Sequence, residues 1–373
     1  MSEQYTSLGL MSGTSGDGVD ASIIQSNGET KYEVIQDKYY EYDRDIFKEF
    51  HKLKGDIYNL SDLKNLAKEL KNLERKITLF HAKVVKEIKN DKQIGIIGFH
   101  GQTIYHNSNE KISCQLGDGK LLSQLTNNNI IYNFRKNDIQ NGGQGAPLTP
   151  IFHKLIATKY KIDLPTCILN IGGISNITII EKSIGSLGLK SKDIGPGNCL
   201  IDSWVRKNSK YKFDKNGILA ASGKTNDIIL EQAQELFANR PNQNKLSFDT
   251  NDFDVSFARG LSLEDGATTL TDFTAKVIGS ALFSILSEVN NKPLKVIVCG
   301  GGRKNDFLIE KIKKNTLKNI LIQPIDEYGV DGDFIESQAF AFLAIRSLLK
   351  LPISFPETTG CTKSCTGGEL IKV

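Results

Sequence analysis

No stretch of about eighteen uninterrupted apolar residues occurs in this 373-residue chain; charges and serines break the longest candidates, which argues against a membrane-spanning helix and for a soluble protein. Prolines number only nine and 39% of the residues are apolar, so a disordered chain is excluded and there is material for two packed lobes rather than one core. One-sided charge is lacking as well. The 47 basic residues are mixed with 43 acidic ones along the whole length, so the net charge of +4 forms no basic stripe and implies no nucleic-acid partner. The opening, MSEQYTSLGLMSGTSGDG, carries Glu3 early and has no apolar stretch before a small-residue cleavage site. It does not read as a signal peptide, and a cytoplasmic address is expected.

The six cysteines (Cys114, Cys167, Cys199, Cys299, Cys361 and Cys365) are scattered, and without an extracellular signal they are expected to be reduced thiols. Cys361 and Cys365 lie close in sequence, but a zinc site would need a second pair, so no metal role is expected of them.

What is present is an α/β pattern. Ser7 to Gly13, Val19 to Gln25 and Tyr32 to Tyr40 read as strands joined by tight turns. From Ser61 the apolar residues Leu63, Leu66, Leu70, Leu73, Ile77 and Phe80 recur at spacings of three and four, predicting a long amphipathic packing helix with Ser61 as N-cap and no full capping box. Ile94 to Gly101 reads as a buried strand ending at glycine and histidine, and Leu148 to Tyr160 as a helix. Strand, glycine turn and strand then recur at Thr166 to Gly172 and Asn176 to Ile180. This is read as an internal duplication whose second half begins near residues 135–165. A helix over Leu270 to Val289, a strand over Leu294 to Cys299 and a late helix over Glu336 to Leu349 complete the pattern.

Three glycine-rich turns each follow a strand: GTSGDGVD from Gly13, NIGGISN from Asn170 and CGGGRKN from Cys299. Glycine allows backbone N–H groups to approach an anion without a Cβ in the way, so phosphate is the natural guest, although a plain hairpin explains any one loop alone. Two nucleotide motifs fail. Gly16, Gly18 and Ala21 fit the dinucleotide spacing, but a β-branched strand follows where a helix is required; in SGKT (Ser222 to Thr225), Gly217 stands one residue too far upstream for a P-loop. What remains resembles the actin, Hsp70 and hexokinase superfamily. That resemblance implies a two-lobed, duplicated ribonuclease H-like α/β fold with an ATP cleft between the lobes.

Within that superfamily the chain resembles the anhydro-N-acetylmuramic acid kinase family. The resemblance rests on GLMSGTSGDGVD from Gly9, GFHGQT from Gly98, NFRKND from Asn133, GGQGAPLTPIFH from Gly142, LNIGGISNIT from Leu169, DIGPGN from Asp193, FDKNGILAASG from Phe213, LSLEDGATTLTDFTA from Leu261, VCGGGRKN from Val298 and ESQAFAFLA from Glu336. These run in the family's order from about Leu8 to Leu349. Family members use ATP and water to convert 1,6-anhydro-N-acetylmuramic acid into N-acetylmuramic acid 6-phosphate during cell-wall recycling. Because O6 is tied to C1, water must attack C1 as O6 leaves toward the γ-phosphate, and a general base is needed on the face opposite the bridge.

The resemblance implies that Asp193 is that base; the plain alternative is a carboxylate favouring a helix N-terminus, with Asn198 to Lys207 as the helix. Gly13, Thr14, Ser15, Gly16, Asp17, Gly18, Val19 and Asp20 would form the first phosphate loop, with Asp17 and Asp20 orienting Mg²⁺. Gly172 and Gly173 would form the second, and Gly300, Gly301, Gly302 and Asn305 would lie on the adenosine side. Arg135 would hold an anionic group of the sugar or a phosphate, or else pair with Asp138. His100 would line the sugar pocket, and Glu336 would shape it or cap a helix.

The resemblance implies a homodimer and lobes that close over the substrate. The division expected is residues 1–134 with 349–373 as the first lobe and 135–348 as the second. Two positions depart from the family pattern: Gly16 stands where many members have leucine or methionine, and Lys192 where an aromatic residue is common. If it pointed inward, Lys192 would lower the pKa of Asp193. The alternatives are a kinase of a related 1,6-anhydro sugar such as levoglucosan, or a non-catalytic ATP- or sugar-binding sensor.

Overall fold

A computed structural model of the chain describes residues 3–185, 187–240, 247–290 and 292–373. The chain forms two compact units, one made of residues 1–161 and 333–373 and the other of residues 162–332.

In the first unit β1 (Tyr5–Ser12), β2 (Gly18–Ser26) and β3 (Tyr32–Glu41) form an antiparallel meander. On its other side β1 pairs in parallel with β4 (Ile96–Asn107), which pairs in parallel with β6 (Ile130–Tyr132); β5 (Ile112–Leu116) folds back on β4. The C-terminal strand Glu369–Ile371 closes the far edge against β6. The second unit repeats the plan. There β7 (Thr166–Ile171), β8 (Ile174–Ile180) and β9 (Leu189–Pro196) form the meander, and β10 (Leu294–Cys299) and β11 (Ile320–Pro324) continue in parallel from β7. Both sheets therefore run third, second, first, fourth strand and then one further parallel strand, β6 in the first and β11 in the second, with matching strand directions. That is the duplicated α/β fold expected from the sequence, and it puts the loops after β1 and β7 at equivalent places.

The central strands β1 and β7 are buried almost throughout, as strands covered on both faces must be, whereas edge strand β3 is exposed along most of its length and carries charge outward. The boundaries differ from those expected. Residues 135–161 and the helix Ile335–Leu348 belong to the first unit, not the second. The helix packs on β1, β2 and β4 because Gly9 and Gly98, neighbours in the parallel register, leave a groove for its backbone. A Cβ at Gly9 would stand 1.9 Å from the Ser337 carbonyl oxygen, and one at Gly98 would stand 2.3 Å from that of Phe340. Phe340, Phe342, Leu343 and Ile345 are fully buried there, each worth about 1.5–3 kcal/mol of apolar burial.

Other expectations shift at their ends. The helical stretch begins at Leu60, not Ser61. Asn59 is its N-cap in a full capping box with Asp62, and the stretch breaks at Leu66 into Leu60–Asn65 and Ala67–Lys89. The helix predicted from Leu270 starts at Leu263, capped by the Ser262 hydroxyl. By length and composition this helix, Leu263–Glu288, could cross a membrane, with a window of mean hydropathy 1.2, but 72% of that window is buried within the protein. It is the core helix of its unit.

Candidate active site

Asp193 lies within β9, in register with Asn176 of β8, and not at the helix start that the plain alternative supposed; the helix Cys199–Asn208 begins six residues later. Its side chain is buried, and Oδ2 accepts a hydrogen bond from the Phe248 backbone N–H at 2.8 Å. A register shift follows at once: Asn176 pairs with Asp193 and Ser175 with Gly195, leaving Ile194 as a bulge. Such bulges re-aim side chains at the end of a ladder. Asn176, opposite Asp193, has its Oδ1 buried with no hydrogen-bond partner among the described residues. Lys192, the neighbour of Asp193 in the strand, points to the other face, where its ammonium lies 3.7 Å from Glu288.

The segment after Asp193 holds the loop after β7. Gly197 and Cys199 donate their backbone N–H groups to the Gly173 carbonyl at 2.9 and 3.1 Å, and Asn198 donates to Gly172 at 2.8 Å. Asp193 and the Gly172–Gly173 turn are thus parts of one hydrogen-bonded piece.

In the first unit the Gly13 carbonyl accepts from Gln102 Nε2 at 2.7 Å, and Ser15 donates to Asp17 at 2.7 Å. Gln102 is fully buried. Below the loop, burial lowers the pKa of His81 to about 4 and keeps the ring neutral. Its Nδ1 donates to the Ile77 carbonyl at 2.8 Å, which leaves Nε2 to accept from Ser12, the residue before the loop. Gly16, at φ +63°, is needed where it stands: a Cβ would lie 2.2 Å from the buried Phe50 ring. Phe50 fills the space that a larger residue at 16 would occupy, so this departure from the family pattern is compensated.

Asp17 and Asp20 are both half-buried, and both act on the Tyr39 phenol, whose pKa is raised chiefly by burial and then by Asp17, Glu41 and Asp20. Two half-buried carboxylates at the glycine-rich loop after β1 would suit Mg²⁺, a hard cation usually held by one or two carboxylates plus phosphate oxygens.

The three loops share one trait that fits a ligand carried on backbone. A Cβ built at Gly13 or Gly172 meets only its own loop at 3.6 Å or beyond, and one at Gly301 meets nothing. The Gly300–Gly302 turn is braced from behind by Arg303, which donates to Asp326 at 2.7 and 3.0 Å and to Asp331 at 3.2 Å. Asn305 uses its side-chain oxygen to cap the helix Asp306–Lys314, accepting from Leu308 N at 2.9 Å. Its visible role is to end the loop.

His100, Arg135 and Glu336 come together as a group. His100 does not end its strand: β4 continues to Asn107, and His100 is the bulged residue between the pairs Leu10–Phe99 and Met11–Gly101. Its ring donates from Nδ1 to the Gly101 carbonyl at 2.8 Å and accepts at Nε2 from Arg135 Nη2 at 2.9 Å. Burial, and then the Arg135 charge, hold His100 well below its ordinary pKa, so it is a neutral acceptor. Arg135 Nη1 also donates to the Gly145 carbonyl at 2.8 Å, while Asp138 accepts from Thr359 and from Gly145 N; the alternative Arg135–Asp138 salt bridge is not formed. Glu336 stands in the first turn of its helix, its carboxyl raised by burial and drawn partly back by Arg135.

Sequence reasoning missed Gln102, His81 and Phe248. Gln102 had a signal, since it sits in the same GFHGQT run as His100. The Phe248 contact is a backbone amide 55 residues from its partner and has no signature in sequence.

The chain matches the sequence profile of a family described as anhydro-N-acetylmuramic acid kinase over residues 5–372. It is 56% identical over 374 residues to the anhydro-N-acetylmuramic acid kinase of Pelagibacter ubique (strain HTCC1062), with all of both chains covered. To the protein of the same name from Agrobacterium fabrum it is 36% identical over 380 residues, again with both covered in full. Among solved structures it is similar to the activator of the 2-hydroxyisocaproyl-CoA dehydratase from Clostridium difficile with bound ADPNP. There the identity is 10%, the coverage 91% of this chain and 94% of that one, and the TM-score 0.40.

Proposed function

The chain belongs to the anhydro-N-acetylmuramic acid kinase family, and from that premise we propose that it opens the 1,6-anhydro ring of anhydro-N-acetylmuramic acid and phosphorylates O6 with ATP. The products are N-acetylmuramic acid 6-phosphate and ADP, in cell-wall recycling in the cytoplasm, by a homodimer. One observation carries the reading: a buried carboxylate, Asp193, positioned by a backbone N–H and tied through Gly197 and Asn198 to a glycine turn open to a ligand.

In the proposed step Asp193 takes a proton from water, and the water oxygen bonds to C1. The C1–O6 bond breaks, O6 bonds to the γ-phosphorus, and the bond from that phosphorus to the bridging oxygen breaks to release ADP. The loops around Gly13 and Gly172–Gly173 hold phosphate oxygens with backbone N–H groups, and Gly300–Gly302 receives the adenosine end. Mg²⁺, held by Asp17 and Asp20, would offset phosphate charge. Arg135 binds the anionic group of the sugar, oriented for it by neutral His100.

Product analysis in ¹⁸O-labelled water with ATP, Mg²⁺ and the anhydro sugar tests this, with wild type and Asp193→Asn run in parallel. A 6-phosphate carrying one heavy oxygen at C1, absent with the variant, is the expected result. ATP consumption without labelled sugar phosphate would leave a kinase of another 1,6-anhydro sugar.

A further inference from the structure

Cys361 and Cys365 lack a second cysteine pair in the sequence, but the fold supplies a third ligand from 223 residues upstream of Cys361: Asp138, at the heart of the short helix Lys136–Gln140. One carboxylate oxygen and the two sulfur atoms all lie within 4.8 Å of one another. All three residues are buried, at 1%, 2% and 6% exposure. We propose that Asp138, Cys361 and Cys365 form a site for a thiophilic divalent cation of the zinc class.

The geometry is near what such an ion needs. Zinc–sulfur bonds of about 2.3 Å and zinc–oxygen bonds of about 2.0–2.2 Å in a tetrahedron place the ligand atoms roughly 3.5–3.8 Å apart, so closure by about an ångström completes the three-sided cup. Asp138 is already aimed: Thr359 donates to Oδ1 at 2.6 Å and Gly145 N to Oδ2 at 2.7 Å. Partners of this kind fix the orientation of a ligating carboxylate. Both are neutral donors: among the described residues no side-chain cation donates to this buried carboxyl group, which stands beside two thiols. The fully buried Ser354 hydroxyl lies 3.1 Å from the Cys365 sulfur and steadies it.

Thiols bind such an ion as thiolates, so binding displaces their protons to solvent and affinity rises with pH. The role is structural. The stretches 138–145 and 353–365 are already laced together by Gln144 N to the Thr359 carbonyl and Thr362 N to that of Asn141, at 2.9 and 3.0 Å. A cation would fix this junction, whose Gly145 carbonyl is the one that positions Arg135.

The test is cobalt titration of the full-length protein, stripped with chelator and held reduced with a phosphine. The expected result is one equivalent of Co²⁺ bound with a thiolate charge-transfer band, displaced stoichiometrically by Zn²⁺. The band is retained in Cys114→Ser/Cys199→Ser, which removes the two partly exposed thiols, and lost in Cys361→Ser/Cys365→Ser. Absence of the band in wild type, or its loss with Cys114 and Cys199, would overturn the proposal, whether or not the Cys361 and Cys365 variant folds.

Discussion

The Asn198 backbone N–H donates to the Gly172 carbonyl at 2.8 Å, so the turn after β7 and the chain leaving Asp193 are one rigid unit. Gly197 makes this possible, because a Cβ there would stand 2.3 Å from the same carbonyl oxygen. Gly197→Ala must part the two segments. We expect KM for ATP to rise and kcat to fall by about 10-fold or more, since displacement by an ångström is enough for such losses. Steady-state kinetics alongside far-UV circular dichroism, which should be unchanged, checks this.

Arg135 binds His100 through two nitrogens, and the planar fork cannot be reproduced by an ammonium. Arg135→Lys is expected to raise KM for the sugar about 10- to 100-fold, the worth of a lost charge-assisted hydrogen bond, with KM for ATP nearly unchanged. Equal effects on both substrates would place Arg135 on the phosphates instead.

Phe50 and Gly16 are a matched pair. Gly16→Leu introduces both a strained φ and a clash with the ring and should destabilise the protein by about 1–3 kcal/mol in urea denaturation. In a double-mutant cycle with Phe50→Ala the two costs should not add, because the smaller residue vacates the space.

Gln102 hangs the first loop from β4 by its contact with the Gly13 carbonyl. Gln102→Met keeps the volume and removes the donor, so about 1–3 kcal/mol should be lost and KM for ATP should rise. Thermal melting with and without ATP separates the two effects.

The folded pKa of His81 is lowered by burial to about 4 from 6.5, and that of His153 to about 3. The unfolded chain therefore takes up protons first as acid is added. Stability from these two residues is complete above about pH 6.5 and declines as pH falls toward their folded values, by about 3 kcal/mol for His81 at pH 4. Urea midpoints between pH 7.5 and 4.5 should fall steadily, and His81→Gln should flatten the slope.

Much of this was readable in the chain because glycine and β-branched residues mark strand, turn and strand by local chemistry, and the turns at Gly13, Gly172 and Gly301 are where those signals placed them. Position within β4 was not readable. A bulge at His100 depends on the register with β1, a relation between residues some ninety apart that leaves no periodic trace in either segment. The assignment of residues 135–161 failed for a similar reason: the duplication is legible in the strands, but which sheet a connecting helix covers is decided by complementary surfaces. The late helix Ile335–Leu348 is the clear case, since its place is set by two small residues, Gly9 and Gly98, that reveal their purpose only when the strands lie side by side. Asp138 likewise meets Cys361 and Cys365 only through the fold.

That late helix also orders events at the ribosome. Residues 162–332 are contiguous and can collapse as soon as they leave the exit tunnel, whereas the first unit lacks residues 333–373 until the whole second unit has been made. Until then the apolar faces of β1 and β4 around Gly9 and Gly98 await their cover. The nascent chain is thus most exposed to aggregation and chaperone capture at β1 and β4, strands made before the second unit and covered only after it.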